Sequence, residues 1–224
     1  NTDVVASDLR SFLAQRSGRT LPILVAPMPA APVFAVETAP DPELRSVPYF
    51  VMCGTIEPRK NHRLILGVWE RLLERDAGSA PKLVIAGRRG WGNQDIFGVL
   101  DSLGSHSHIV EAPGLSTAAL RRLMVNSRGL LMPSVAEGYG LPLVEADAAG
   151  VSAIASDIPV FREIASRDVT FCDPQNPESW LRAIQSRMQP REPRLSAAAR
   201  AEENRANWSI YFERLDRFLA EQQR

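Results

Sequence analysis

The sequence predicts an α/β protein built on a doubly wound, parallel, Rossmann-like sheet, and three observations support that expectation. From Pro48 onward, short apolar runs alternate with segments of helical periodicity, the order expected when strands are joined by crossover helices. Residues 129–133, GLLMP, read as a short buried strand; Pro142 then sits where a first helical residue belongs and Gly150 where that helix should stop. The 224 residues, 45% of them hydrophobic, suffice for one sizeable domain with a real core, or for one domain plus fragments of another.

Taken in order, residues 2–15 have helical spacing in Val5, Leu9, Phe12 and Leu13, with Thr2 or Asp3 as N-cap, and residues 22–26 read as a short strand. Residues 30–47, rich in proline and acid, fit an interdomain segment. Strands are then expected at 49–53, 82–86, 109–111, 129–132, 152–155 and 169–172, alternating with helices at 62–75, 94–103, 117–126, 143–149, 160–165 and 177–187. Two polar amphipathic helices, 196–207 and 209–221, finish the chain, and there is no internal repeat or low-complexity tract. A chain that opens in mid-architecture reads as part of a longer protein. The expected division is a first segment at 1–29, a linker at 30–47, the Rossmann-like domain at 48–190 and carboxy-terminal helices at 191–224.

Charge excludes some partners. The 26 basic and 26 acidic residues cancel, so no global field recruits nucleic acid or anionic lipid. Cys53 and Cys172 lie in apolar, strand-like contexts and read as buried thiols of a reducing compartment. No basic stretch followed by an apolar one opens the chain, so no signal peptide is expected. Residues 21–36 are uncharged but broken by Pro22, Pro27, Pro29 and Pro32, and are shorter than the roughly 18 apolar residues of a spanning helix. The expected location is the cytoplasm, with peripheral placement at the inner membrane face left open.

The chemistry concentrates in SVAEGYGLPLVEA, from Ser134 to Ala146. Glu137 falls at the carboxyl end of a strand, and Glu145 about one turn into the following helix, its side chain tilted back toward the loop, so both carboxylates can face one crevice. A carboxylate accepts hydrogen bonds from paired sugar hydroxyls, and the amides of Gly138, Tyr139, Gly140 and Leu141 at the helix start suit an anion. The competing explanation is a capped turn, with one acid helping the helix dipole and the other solvated. A second element is GTIEPRKN, residues 54–61, which joins a strand to a helix with an apolar face of Leu64, Ile65, Val68, Trp69, Leu72 and Leu73 and with Asn61 as N-cap. Arg59 and Lys60 thereby project at the sheet's carboxyl edge, where open sheets of this class bind ligands, and two cations beside free amides suit a diphosphate. Taken alone, such a pair can equally be solvated surface charge.

The spacing E-x₇-E from Glu137 to Glu145, within PSVAEGYGLPLVEA, resembles the signature of retaining glycosyltransferases with two Rossmann-like domains (GT-B), a family that includes bacterial mannosyltransferases and sucrose-phosphate synthases. GTIEPRKN (54–61), LVIAGRRGW (83–91) and SDIPVFRE (156–163) follow in the family's order and approximate spacing, so the likeness spans residues 47 to 174. The resemblance implies that this chain is the carboxy-terminal, donor-binding half. Lys60 would contact the nucleotide diphosphate and stabilise it as leaving group, beside the loop residues Gly54 and Thr55. Many members carry arginine where Thr55 stands, and here Arg59 would replace that charge. Main chain at Val110, Glu111 and Ala112 would meet the nucleobase, Glu145 the ribose diol and Glu137 a sugar hydroxyl. The catalytic candidates are thus Lys60, Arg59 and Glu137.

The family's chemistry retains anomeric configuration, the acceptor proton passing to a donor phosphate oxygen. The acceptor, a glycan or lipid-linked glycan, would occupy a pocket of the missing amino-terminal Rossmann-like domain, of which residues 1–29 would be a remnant. The loops look most like the mannosyltransferase branch, which implies GDP-mannose and a bacterial surface or exported polysaccharide; a UDP-sugar donor stays open.

Other residues carry less. Gly87, Gly90 and Gly92 do not form G-x-G-x-x-G, Arg88 and Arg89 fit a turn that tolerates charge, and Asp157 and Glu163 read as a turn acid and a helix acid. His62, His106 and His108 share no ligand spacing with cysteines or acids and no D-x-D occurs, so neither metal nor cofactor is expected. Two rivals remain. A glycoside hydrolase needs two carboxylates but leaves Arg59 and Lys60 unused, and a nucleotide-sugar-binding module would use the same residues without turnover.

Overall fold

The computed structural model describes residues 1–223 apart from 19, 38, 93, 104–107, 166–167 and 190–194. Its strands are β1 (Tyr49–Cys53), β2 (Lys82–Ala86), β3 (Ile109–Glu111), β4 (Leu130–Met132), β5 (Ala153–Ser156) and β6 (Val169–Cys172). They form one sheet in the order β3-β2-β1-β4-β5-β6, with every pair parallel. The long helices are α1 (Asp3–Ser17), α3 (His62–Asp76), α4 (Gln94–Leu103), α5 (Thr117–Asn126), α6 (Leu141–Ala149), α8 (Pro177–Ser186) and α9 (Ala197–Gln222); α2 (Pro42–Arg45) and α7 (Pro159–Ile164) are short.

All five residues of β1 are buried because a parallel sheet is covered on both faces. Successive side chains point to opposite layers. Phe50 and Met52 enter one core with Ile65, Val68 and Trp69 of α3, Ile96 and Leu100 of α4 and Trp180, Leu181 and Ile184 of α8. Tyr49, Val51 and Cys53 enter the other with Met124 of α5 and Leu143 and Ala146 of α6. Trp69 meets Phe50 edge-on at 6.1 Å between ring centroids and donates its indole N–H to the Pro81 carbonyl at 2.9 Å, so its polar edge is satisfied inside the core. Leu66 joins this buried face, while Leu64 and Leu73 are only partly covered.

Two expectations fail for physical reasons. Residues 22–26 form no strand, and residues 20–31 are neither helix nor strand, since Pro22, Pro27 and Pro29 lack the amide that a ladder requires. The carboxy-terminal helices are one, Ala197–Gln222, capped by the Ser196 side chain. Ser209, where a break was expected, stays helical and turns its hydroxyl back to the Arg205 carbonyl four residues earlier, a bond that competes too weakly to end the helix. At the other end Thr2, not Asp3, caps α1, and Glu163 of α7 accepts from the amides of Asp3 and Val4 at 2.6 and 3.1 Å. His106 and the expected boundary between 190 and 191 lie outside the described residues.

Residues 30–47, expected as an interdomain segment, contain a 3₁₀ turn at Pro32–Ala35 and α2. Phe34 is fully buried in the second core, and the Arg121 guanidinium donates to the carbonyls of Phe34 and Val36. From α9, Asn204 Nδ2 and Trp208 Nε1 both donate to the Ala30 carbonyl, at 3.1 and 2.9 Å.

His62, the first residue of α3, is 2% exposed, and neither ring nitrogen has a hydrogen-bond partner among the described residues. Burial, assisted by the charge of Lys60, holds its imidazole down at about 4. Folded protein thus keeps His62 neutral between pH 6.5 and 4 while the unfolded chain takes up a proton. Stability present above pH 6.5 is therefore lost as pH falls toward 4, by up to about 3 kcal/mol. Denaturant titrations of wild type and His62→Leu across pH 4–8 should show this slope in the wild type and a shallower one in the variant; equal slopes would remove His62 as the cause.

Candidate active site

From β1 the chain runs outward through β2 to β3, whereas from β4 it runs the opposite way through β5 to β6. The loops after β1 and β4 therefore diverge and leave a crevice at the carboxyl edge between them, the ligand position of open α/β sheets. The β1 loop is also knitted to the β2 loop. Gly54 donates to Ala86, Ile56 to Arg88, and Gly90 back to Ile56, at 3.1, 2.9 and 3.1 Å. These backbones approach so closely that a Cβ on Gly87 would lie 1.8 Å from the Gly54 carbonyl oxygen.

Beyond Gly54 (φ 115°) the loop makes a 3₁₀ turn, Pro58–Lys60, and then Asn61 in the left-handed region at φ 54°. Asn61 stands at the N-cap position of α3 but makes no capping bond. Its side-chain amide instead donates to the carbonyls of Pro133 and Pro174, at 3.2 and 3.0 Å. A left-handed asparagine aims its side chain away from the helix amides, so it ties the loops after β1, β4 and β6 together. Val135 donates to the Arg59 carbonyl at 2.9 Å, joining the two walls of the crevice a second time.

Those ties bring Arg59, Lys60 and Glu137 into one cluster. Lys60 Nζ lies 2.6 Å from Glu137 Oε1, and Arg59 Nη1 lies 2.5 Å from Glu137 Oε2. Ser134 Oγ donates to Oε1 at 2.8 Å, and another arm of Arg59 pairs with Glu57 at 2.6 Å. The Glu137 and Lys60 side chains are only 6% and 10% exposed, against 45% for Arg59. Desolvation pushes the Glu137 carboxyl up, but the hydrogen bond and charge of Lys60, with Ser134 and Arg59, outweigh it and hold the group below its ordinary value. The Lys60 ammonium is packed on Gly54, where an added Cβ would sit 3.3 Å from Cε and 3.4 Å from Nζ.

Glu145 is different. It is half-buried on α6 and has no hydrogen-bond or ion-pair partner among the described residues, and burial pushes its carboxyl up. Its charge reaches the Cys53 thiol at the end of β1, which burial above all raises to about 12; burial raises the Cys172 thiol too, and both cysteines are buried free thiols. The helix carrying Glu145 starts from Gly140 (φ 100°), and a Cβ there would meet the Phe161 ring at 2.7 Å. Pro142 is its second residue, and Gly150 (φ 71°) closes it. Among the described residues, the amides of Gly138, Tyr139, Gly140 and Leu141, at the helix start, have no backbone acceptor. The Tyr139 hydroxyl leaves the crevice and donates to the Met28 carbonyl at 2.8 Å.

The remaining candidates lie along the same sheet edge. Val110 is exposed, Glu111 is held by Arg89 at 2.6 and 2.9 Å, and the Ala112 amide is spent on the Ile85 carbonyl at 2.9 Å. Arg89 also pairs with Asp101 at 2.5 Å, so it braces β2 against β3 and α4. Thr55 is exposed, and so is Trp91, at 72%. Asp157 pairs with Arg162 at 2.7 Å. Sequence reasoning missed Ser134 and Glu57, which orient Glu137 and Arg59. The usable signal for Ser134 was its place three residues before Glu137, near enough along the chain for the hydroxyl to reach the carboxylate. Among the described residues no group of three or more His, Cys, Asp or Glu side chains is placed to hold a metal ion.

The profile of the family "Glycosyl transferases group 1" matches residues 39–204. The chain belongs to this family. The serotype-specific mannosyltransferase WbdA of Escherichia coli is 31% identical over 164 residues, which cover 68% of this chain and 20% of WbdA, so the chain spans about a fifth of that relative's length. Sucrose-phosphate synthase from Thermosynechococcus elongatus superposes with a TM-score of 0.71 at 17% identity, over 99% of this chain and 57% of that one. The C-terminal domain of a glycosyl transferase group 1 family protein (LpcC) from Francisella tularensis superposes with a TM-score of 0.57 at 14% identity, over 81% of this chain and 96% of that one. As in these glycosyltransferases, the fold is a Rossmann-like domain of the GT-B type, and its crevice lies where the family's E-x₇-E segment meets the dibasic loop.

If the two knitted loops set the crevice, a side chain at Gly87 must separate them. Gly87→Ala is expected to destabilise the domain by at least about 2 kcal/mol. Gly98→Ala, at an exposed position of α4 where a Cβ meets nothing within 4 Å, should stabilise it by about 0.5–1 kcal/mol. Paired thermal melts check both signs, and an unchanged Gly87→Ala melt would show that the loops can part.

Proposed function

We propose that this domain binds a nucleotide-diphospho-sugar, GDP-mannose, and presents it for retaining transfer to a glycan or lipid-linked acceptor in bacterial polysaccharide synthesis. The observation that carries this reading is the division of the crevice. Two cations meet at its floor, and a second carboxylate, Glu145, without a hydrogen-bond or ion-pair partner among the described residues, is half-buried on the helix whose first amides, 138–141, have no backbone acceptor among them. A half-buried acceptor with no partner is suited to a diol, whose two hydroxyls donate together, and we assign Glu145 to the ribose. Lys60 and Arg59 are assigned to the diphosphate, Glu137 to a sugar hydroxyl and the main chain at 110–112 to the base. The mannosyltransferase relative supports mannose as the sugar.

Breaking the sugar–phosphate bond loads negative charge on the departing diphosphate while the sugar becomes oxocarbenium-like. Lys60, Arg59 and the amides of 138–141 would meet that charge as it develops, and fixed donors need no reorganisation at that moment. Configuration is retained when the acceptor hydroxyl arrives on the face the diphosphate leaves and passes its proton to a phosphate oxygen. The acceptor pocket belongs to an amino-terminal Rossmann-like domain, to which we assign residues 1–29, with 30–47 as the connection and the cytoplasm as the location.

Thermal shifts with GDP, UDP and ADP test the donor, because a ligand that prefers the native state raises its stability. GDP should stabilise the domain most, in EDTA as in magnesium. Stabilisation by UDP with none by GDP would move the donor to a UDP-sugar. Glu145→Gln should weaken GDP and GDP-mannose alike, by about 1.5–3 kcal/mol, yet leave the ligand-free melting temperature unchanged or raised, since burial already disfavours that charge. A loss of ligand-free stability would instead make Glu145 structural.

A further inference from the structure

We propose that Glu137 is an internal competitor of the diphosphate for Lys60 and Arg59, so that the site selects an intact nucleotide sugar over the free nucleoside diphosphate; this rests on the nucleotide-sugar reading of the same crevice. In the ligand-free protein both cations are already neutralised. One carboxylate takes Lys60 on Oε1 and Arg59 on Oε2, and the other arm of Arg59 is on Glu57. Lys60 cannot swing to an alternative position, because it is nearly enclosed and packed on Gly54. A diphosphate that reaches Lys60 competes with Glu137 for the ammonium, since phosphate and carboxylate oxygens crowded on one ammonium repel each other and favour displacement of the carboxylate.

The displaced carboxylate gives up the Ser134 hydroxyl along with both cations. It then needs new donors. A hexose on the diphosphate brings hydroxyls to the place Glu137 vacates, whereas a free nucleoside diphosphate brings none and bears the full cost of leaving a nearly buried carboxylate underpaired. Discrimination follows directly. So does a direction for product release: once the sugar has gone, Glu137 loses its replacement donors and returns to Lys60 and Arg59, which loosens the diphosphate.

Calorimetry of the chain with GDP, UDP and GDP-mannose, for wild type, Glu137→Gln and Lys60→Ala, tests this. Glutamine keeps the shape and removes the charge, so Glu137→Gln should bind the free nucleotide about tenfold more tightly than wild type, and the preference for the sugar-bearing donor should shrink toward none. Ser134→Ala, which only loosens the seat of Glu137, should move free-nucleotide affinity the same way by less, and it serves if Glu137→Gln melts too low to titrate. The inference is overturned if neither variant tightens free-nucleotide binding while Lys60→Ala still weakens it; the nucleotide-sugar reading then stands. If Lys60→Ala leaves nucleotide binding unchanged, or no nucleotide binds, the reading falls and the competition with it.

Discussion

Glu137 holds Lys60 and Arg59 across the one place in the sheet where the strand order reverses, and the geometry of the crevice depends on that ion cluster. On its own, the backbone would leave the loops after β1 and β4 as two diverging segments. Nearly buried charges are costly in any state other than paired, so the cluster fixes the loops more firmly than an exposed pair would. Asn61 and Val135 add neutral bonds along the same seam. The result is a floor with a single charged centre, flanked on one side by the helix-start amides of 138–141 and on the other by glycines packed backbone to backbone.

The two carboxylates of the E-x₇-E spacing are thus placed in opposite electrostatic surroundings by one short segment of chain. Glu137, before the helix, sits among donors and is held ionised. Glu145, within the helix, is half-buried, and burial disfavours its charge. Such a split between neighbouring acids assigns them different work even before a ligand is considered.

Most of the fold was legible because its local signals agree with its burial. The runs at 49–53, 82–86 and 169–172 became strands with the boundaries expected, since in a parallel sheet covered on both faces a short apolar run has nowhere else to go. The misses have separate causes. Residues 22–26 have a strand's composition, but their neighbouring prolines remove ladder donors, and a hydroxyl at Ser209 does not outweigh continuous helical packing. In the site, the residue types and spacing showed which groups could meet. They did not show that Glu137 would take both cations, because Lys60 and Glu137 are 77 positions apart and only the reversal of strand order joins them. Asn61 takes the N-cap position expected of it but spends its side chain elsewhere for a related reason, since a left-handed φ is invisible in composition.

The carbonyls of Met28 and Ala30 lie two residues apart, and the first accepts from Tyr139 in the glycine loop while the second accepts from Asn204 and Trp208 in α9. Two carbonyls of one short, proline-rich stretch thus anchor both the glycine loop beside Glu137 and the last helix, so the position of that stretch is fixed by side chains from opposite ends of the domain's sequence.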